Sequence, residues 1–217
     1  MTPLEAGPGA LGAGAVWWLA LAIGLPVLAV TATAFAKVSV VLGALRGGIG
    51  LPEVLPLPVL SGLAAVLAAT IMLPTARCAW DAVEAAGPVA DTPAGYAAAA
   101  ERAWPAWEGF LTAHTRPEDL ALVTSASAVL APERAAGPTP PERVLAFLIS
   151  ELGAAFQLAL AVLLPFLIVD LLTANTLAVL GFHLLPPAVV ALPFKLLLFV
   201  AVGGWGLLVR GLVGTYD

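Results

Sequence analysis

Apolar residues crowd four tracts of this chain, residues 15–45, 54–76, 144–172 and 176–213, and one polar stretch, 77–143, separates the first two from the last two. Residues 54–76 alone make 23 positions without a charge, enough for a helix to cross about 30 Å of hydrocarbon. No run of alternating apolar and polar residues suggests a strand. The pattern predicts an all-α, membrane-associated protein: two long apolar helical hairpins flanking a small polar helical insert. The expected division is residues 1–76, the N-terminal apolar hairpin; 77–143, the insert; and 144–217, the C-terminal apolar hairpin.

Punctuation refines this outline. The first hairpin turns at Arg46-Gly47-Gly48-Ile49-Gly50-Leu51-Pro52-Glu53, which is short enough to make its helices antiparallel neighbours. In the insert, Thr115-Arg116-Pro117-Glu118 and Thr139-Pro140-Pro141-Glu142 both read as capping boxes that start helices. A helix over 96–110 is expected to be interrupted at Pro105. Pro165, Pro186, Pro187 and Pro193 sit inside the apolar tracts, and lipid tolerates such breaks only where neighbouring protein satisfies the freed backbone. The Gly43/Gly47 spacing is read as chance in so glycine-rich a chain.

Charge changes the picture. Lys37, Glu151, Asp170 and Lys195 are embedded in apolar runs, and Lys195 is the one charge in residues 171–209. Four such groups in lipid would cost on the order of 10–14 kcal/mol, comparable with the whole stability of a domain. Each must therefore meet a partner on another helix or subunit, face water, or lie outside lipid. The reading adopted is a buried charge network neutralised largely by sister protomers. Glu151 and Asp170 lie about 27 Å apart along a helix, near opposite ends of one span. Spacing does not decide which acid meets which lysine.

The remaining composition mostly excludes. At 61% hydrophobic and 11% charged, the chain belongs to the membrane class. Net charge is -5, and residues 77–143 hold five arginines against nine acids, which argues against nucleic acid. Cys78, the single cysteine, permits no intramolecular disulfide. No catalytic constellation, cofactor motif or metal-ligand spacing is present, so no enzyme, cofactor or metal is expected. Residues 15–34 imitate a signal peptide but lack a basic flank, so the first segment is read as uncleaved. Arg46 favours a cytoplasmic first turn and an insert outside the cytoplasm.

Beyond these physical readings, several blocks carry a resemblance. They are Ser150-Glu151-Leu152, Ala155-Phe156-Gln157, Leu164-Pro165-Phe166-Leu167-Ile168-Val169-Asp170-Leu171, Leu192-Pro193-Phe194-Lys195-Leu196-Leu197-Leu198 and Gly204-Trp205. Thr33-Ala34-Phe35-Ala36-Lys37, Ile71-Met72-Leu73-Pro74 and Glu118-Asp119-Leu120 agree with them. Together they resemble the FliP/YscR (SctR) family of export-gate membrane proteins in bacterial type III secretion systems, over about residues 30–213. Lys37 and Asn175 look more like the injectisome branch than the flagellar one.

The resemblance implies a core subunit of the export gate in the bacterial inner membrane, reaching its periplasmic side. It further implies a ring-like homo-oligomer, a pentamer, winding with smaller membrane subunits of the same apparatus around a path for unfolded secreted proteins. The family's methionine-rich gate loop matches Leu180, Gly181, Phe182, His183, Leu184 and Leu185, which contain no methionine. His183 is read there as a polar residue facing a wet lumen, with a pH-sensitive seal as the sharper alternative. The family's acid before Gly-Trp is replaced by Gly203. The alternative function, from another class, is a small secondary transporter with broken helices and a midplane substrate site.

Overall fold

The computed structural model describes residues 19, 22–24, 26–50, 56–130 and 137–216, and all regular structure among them is helical. Part of the signal-peptide-like stretch, part of the first turn and the 131–136 connection lie outside the described residues. Seven principal helices follow in order: α1 (Phe35–Ile49), α2 (Leu57–Ala85), α3 (Pro93–Ala113), α4 (Pro117–Leu130), α5 (Pro140–Val179), α6 (Pro187–Ala201) and α7 (Gly204–Val213). A further helical segment, Ala22–Thr31, precedes α1 and is bent 68° from it.

α5 organises the molecule. At 40 residues it is roughly 60 Å long, about twice the hydrocarbon thickness. Thr139 and Glu142 form its capping box, with the Thr139 N–H donating to Glu142 at 2.8 Å. Pro165 does not end it, contrary to the expectation of a break. One continuous rod therefore joins the insert to the loop beyond Val179. α1 packs chiefly on this rod and also on α2; α3, α4 and α6 pack on it too, and α2 packs on α3.

The buried face of α1 is a helical stripe, Val38, Val41, Leu42, Leu45 and Ile49. It forms the main core with Leu60 and Ala64 of α2, Ala155 and Phe166 of α5, Phe199 of α6, and Leu208 and Leu212 of α7. A smaller core of Ala32, Met72, Phe110, Leu111 and Phe147 joins the insert to this body. Close approach of α1 to α5 falls at Gly48: a Cβ there would lie 2.8 Å from Leu163 Cδ2 and 2.9 Å from Phe166 Cδ2. Gly43 and Gly47 have open space instead.

Three local expectations are corrected. Pro105 lies within an unbroken α3. Thr115 does not cap α4; its hydroxyl donates to Leu111 O at 2.6 Å, satisfying a carbonyl in the last turn of α3. The cap of α4 comes from a distance, since Ser150 Oγ on α5 accepts the Arg116 N–H at 2.9 Å and donates to Asp119 at 2.6 Å. Finally, the fourth apolar tract divides at glycine. Gly203 adopts φ +62°, in the left-handed region, and α7 leaves α6 at 61°.

The bend depends on the next residue as well. A Cβ on Gly204 would fall 2.2 Å from the Phe199 ring, whose edge meets Trp205 at a 5.5 Å centroid separation. Gly204→Ala is expected to destabilise the protein by about 1–3 kcal/mol through overpacking. Thermal unfolding in detergent, alongside Gly211→Ala, where space is open, measures this.

α2 and α5 are each long and apolar enough to cross a membrane, and counting the two bent pairs as spans raises the number to four. The class is thus a multi-span helical membrane protein.

Candidate functional site: two buried ion pairs and an apolar loop

Both embedded lysines find their acids inside the same chain. Lys37 Nζ of α1 lies 2.9 Å from Glu151 Oε1 of α5, with both side chains almost wholly buried. Lys195 Nζ of α6 lies 2.7 Å from Asp170 Oδ2 of α5. The expectation that sister protomers supply the neutralising charge is therefore corrected. α5 carries both acids, and the helices packed beside it deliver the lysines, so opposite charges meet within one polypeptide.

The two pairs differ in their surroundings. Around the first, Lys37 Nζ also donates to Thr215 Oγ1 at 3.2 Å and lies 4.0 Å from the centroid of the Tyr216 ring. The Tyr216 hydroxyl donates to Glu151 Oε2. Burial first, then the charge and hydrogen bond of Glu151, hold the Tyr216 hydroxyl far above its ordinary range, so it stays a donor. Every oxygen of Glu151 is thus engaged, which is what a buried carboxylate requires. Thr215 and Tyr216 went unrecognised in the sequence, because two residues after a glycine carry no periodic or spacing signal.

Around the second pair, Lys195 Nζ also donates to Gly48 O at 2.8 Å. That carbonyl belongs to the last turn of α1, and the residue four positions on, Pro52, has no N–H to offer. Lys195 therefore caps α1 with a positive charge at its negative end. Gly50 completes the terminus in the left-handed region at φ +83°, its N–H bonded to Arg46 O. The proline was a legible signal; the lysine that answers it, 147 residues away, was not. Asp170 is the less enclosed partner, with a side chain 43% exposed and Oδ1 without a hydrogen-bond partner.

Beyond Asp170, α5 ends in a Schellman motif. The Phe182 N–H bonds to Leu177 O at 2.9 Å and the Gly181 N–H to Ala178 O at 3.1 Å, with Gly181 at φ +78°. Pro186 and Pro187 then start α6. Between these stops the chain presents Leu180, Phe182, Leu184 and Leu185 to the outside, Leu184 being 98% exposed. His183 shares that exposed tip. The outward faces of α5 and α6 are apolar too, including Phe156, Leu160, Leu167, Leu197 and Val200. The described residues hold no cluster of His, Cys, Asp and Glu able to bind a metal. A cavity of about 380 Å³ between α1, α5, α6 and α7 is lined almost entirely by apolar side chains such as Val162, Phe199 and Leu208.

A multi-span helical protein with its charges closed internally and its apolar loop left open is the class these features define. The chain belongs to the FliP family, which matches residues 18–212. It is 39% identical over 194 residues to a flagellar biosynthetic protein FliP of Pectobacterium carotovorum subsp. carotovorum, covering 88% of this chain and 74% of that one. It is 34% identical over 208 residues to the hypersensitivity response secretion protein HrcR of Ralstonia nicotianae, covering 91% and 94%. To the Yop proteins translocation protein R of Yersinia pestis it is 30% identical over 196 residues, covering 88% and 90%. The chain is accordingly a non-enzymatic membrane protein of the bacterial type III export apparatus, in the inner membrane. Family membership sets the transporter alternative aside.

Proposed function

We propose that the chain is a core subunit of the export gate, assembling with copies of itself, as a pentamer, and with smaller membrane subunits into the entrance for unfolded secreted proteins. The observation that carries this is what the fold leaves uncovered. With both lysines paired internally, the surface remaining on α5, α6 and their loop is apolar, far more than one polypeptide covers for itself. Residues 77–143 then sit on the periplasmic side, and residues 180–185 line the narrowest point. A ring of Leu and Phe there excludes ions by dewetting. Lacking methionine, it seals by stiffer side chains.

Within the family we place the chain nearer the injectisome branch, on Lys37 and Asn175. Identity does not favour that placement, since flagellar relatives match at 36–39%. Restoring secretion in a strain lacking its injectisome member, and failing to restore motility in one lacking its flagellar member, is the expected result; the reverse overturns the placement.

Gating and assembly are tested together. The protein purified in a mild detergent is expected to run as a large complex, with intact-mass measurement identifying its own copies and two smaller membrane subunits. In that complex, Phe182→Gly with Leu184→Gly is expected to raise potassium leak through reconstituted vesicles roughly tenfold or more, the scale of removing about 1.4 kcal/mol of barrier. A monomer or dimer in detergent, or an unchanged leak, would count against this function.

A further inference from the structure

Thr215 and Tyr216 follow α7 and lie outside every apolar helix, yet the half-buried Tyr216 packs its ring against the body of the protein. The Tyr216 ring stacks on Phe110 at 6.0 Å and meets His114 at 5.0 Å, both placed by α3 and the residue after it. Lys37 of α1 covers the ring, and Glu151 of α5 takes the hydroxyl proton in a hydrogen bond. Thr215 Oγ1 accepts from Lys37 and donates to Leu212 O at 2.8 Å, tying the same cluster to α7. Three helices thus converge on one side chain, and Thr215 ties a fourth, α7, to the same cluster. Among the described residues no other hydrogen bond, ion pair or ring contact joins residues 187–216 to α3.

The position of this cluster matters as much as its composition. α3 belongs to the polar insert, whereas α6 and α7 continue from the loop at 180–185. α5 fixes one side of that loop along a single rod. The other side continues into α6, held by Lys195, and then α7, which leaves α6 at 61° at Gly203 and packs Leu208 and Leu212 into the main core. Tyr216 adds a polar attachment beyond the bend, using the same carboxylate that neutralises Lys37.

We propose that Tyr216 is a positioning residue for the gate, a clasp that ties the α6–α7 arm to the polar insert and so holds the loop at 180–185 in its closed register. The proposal rests on the gate reading above. It concerns a residue outside the loop, acting through α7 and α6. Loss of a hydrogen bond to a buried carboxylate shifts the clasped-to-unclasped ratio by roughly tenfold or more.

The test uses the full assembled complex in vesicles, with potassium leak and amide exchange over residues 204–213 as readouts. Tyr216→Phe keeps the ring and removes only the hydroxyl; Tyr216→Ala removes both; the Phe182→Gly, Leu184→Gly loop variant is the control. The expected result is a complex of normal size for Tyr216→Phe, with leak up roughly tenfold and faster exchange over 204–213. If the loop variant leaks and Tyr216→Phe does not, the clasp is wrong and the gate reading stands. If the loop variant itself does not leak, the gate reading fails, and the clasp falls with it. Loss of the complex in Tyr216→Ala, with normal leak and exchange in Tyr216→Phe, marks Tyr216 as mere packing and overturns the proposal.

Discussion

Glu151→Ala is expected to destabilise the protein by about 3–5 kcal/mol, the range for removing one partner of a buried ion pair. The full range applies because neither side chain is more than 3% exposed, so solvent screens nothing. The substitution strands the Lys37 ammonium with Thr215 and the Tyr216 ring, and leaves the Tyr216 hydroxyl without its acceptor. Glu151→Gln is expected to cost less, since its amide oxygen still accepts a hydrogen bond. Lys37→Met with Glu151→Leu is expected to recover most of the loss, because a dry apolar pair carries no desolvation penalty. Thermal unfolding in detergent of wild type, Lys37→Met, Glu151→Leu and their combination yields the coupling energy as a double-mutant cycle, with Glu151→Ala and Glu151→Gln measured alongside. If Glu151→Ala melts within a degree of wild type, the pair is not the buried contact described.

The distribution of charge over the helices explains how much of this was legible. The apolar tracts, the α1 stripe and the cost of the four embedded charges follow from composition and the 3.6-residue period, and the helices appear where those signals are. Prolines were the misleading signal. Pro105 and Pro165 were expected to interrupt helices, yet each costs only one backbone hydrogen bond, which a long helix packed on several neighbours absorbs. Gly203 marked the real bend, and a lone glycine in a chain with 21 of them carries little information by itself. Thr115 misled differently. Its sequence fits a capping box, but a threonine between two helices can serve either end, and Ser150 had already satisfied the second.

The ion pairs show a sharper limit. The sequence identifies all four charged residues, but either lysine can in principle meet either acid. The pairing is decided by contacts 147 and 178 residues apart: Lys195 with the Gly48 carbonyl, and Lys37 with Thr215. Periodicity is local and carries nothing at that range. Identifying the source of neutralising charge as a sister protomer failed for the same reason, since burial in an apolar tract looks identical from the sequence whether the partner is in the same chain or the next.

Exchanging the second pair, Asp170→Lys with Lys195→Asp, is expected not to restore the complex, although the two side chains are in direct contact. A lone ion pair tolerates reversal; this one has a third member. Lys195 donates to the Gly48 carbonyl at the end of α1, where Pro52 offers no N–H, so an aspartate at 195 would set a carboxylate against a carbonyl and the negative end of a helix. Lys195→Met is expected to cost about 1–3 kcal/mol from the orphaned carbonyl alone. The lost pairing adds less than at Glu151, since the Asp170 side chain is 43% exposed where that of Glu151 is buried. Asp170→Asn is expected to be the mildest of the set, because it leaves the Gly48 bond in place. Yield of the assembled complex and its melting temperature rank the variants: Asp170→Asn highest, then Lys195→Met, with the exchange no better than Lys195→Met. Recovery of the wild-type complex by the exchange would show that the bond from Lys195 to Gly48 contributes nothing, and that pairing alone holds α6 to α5.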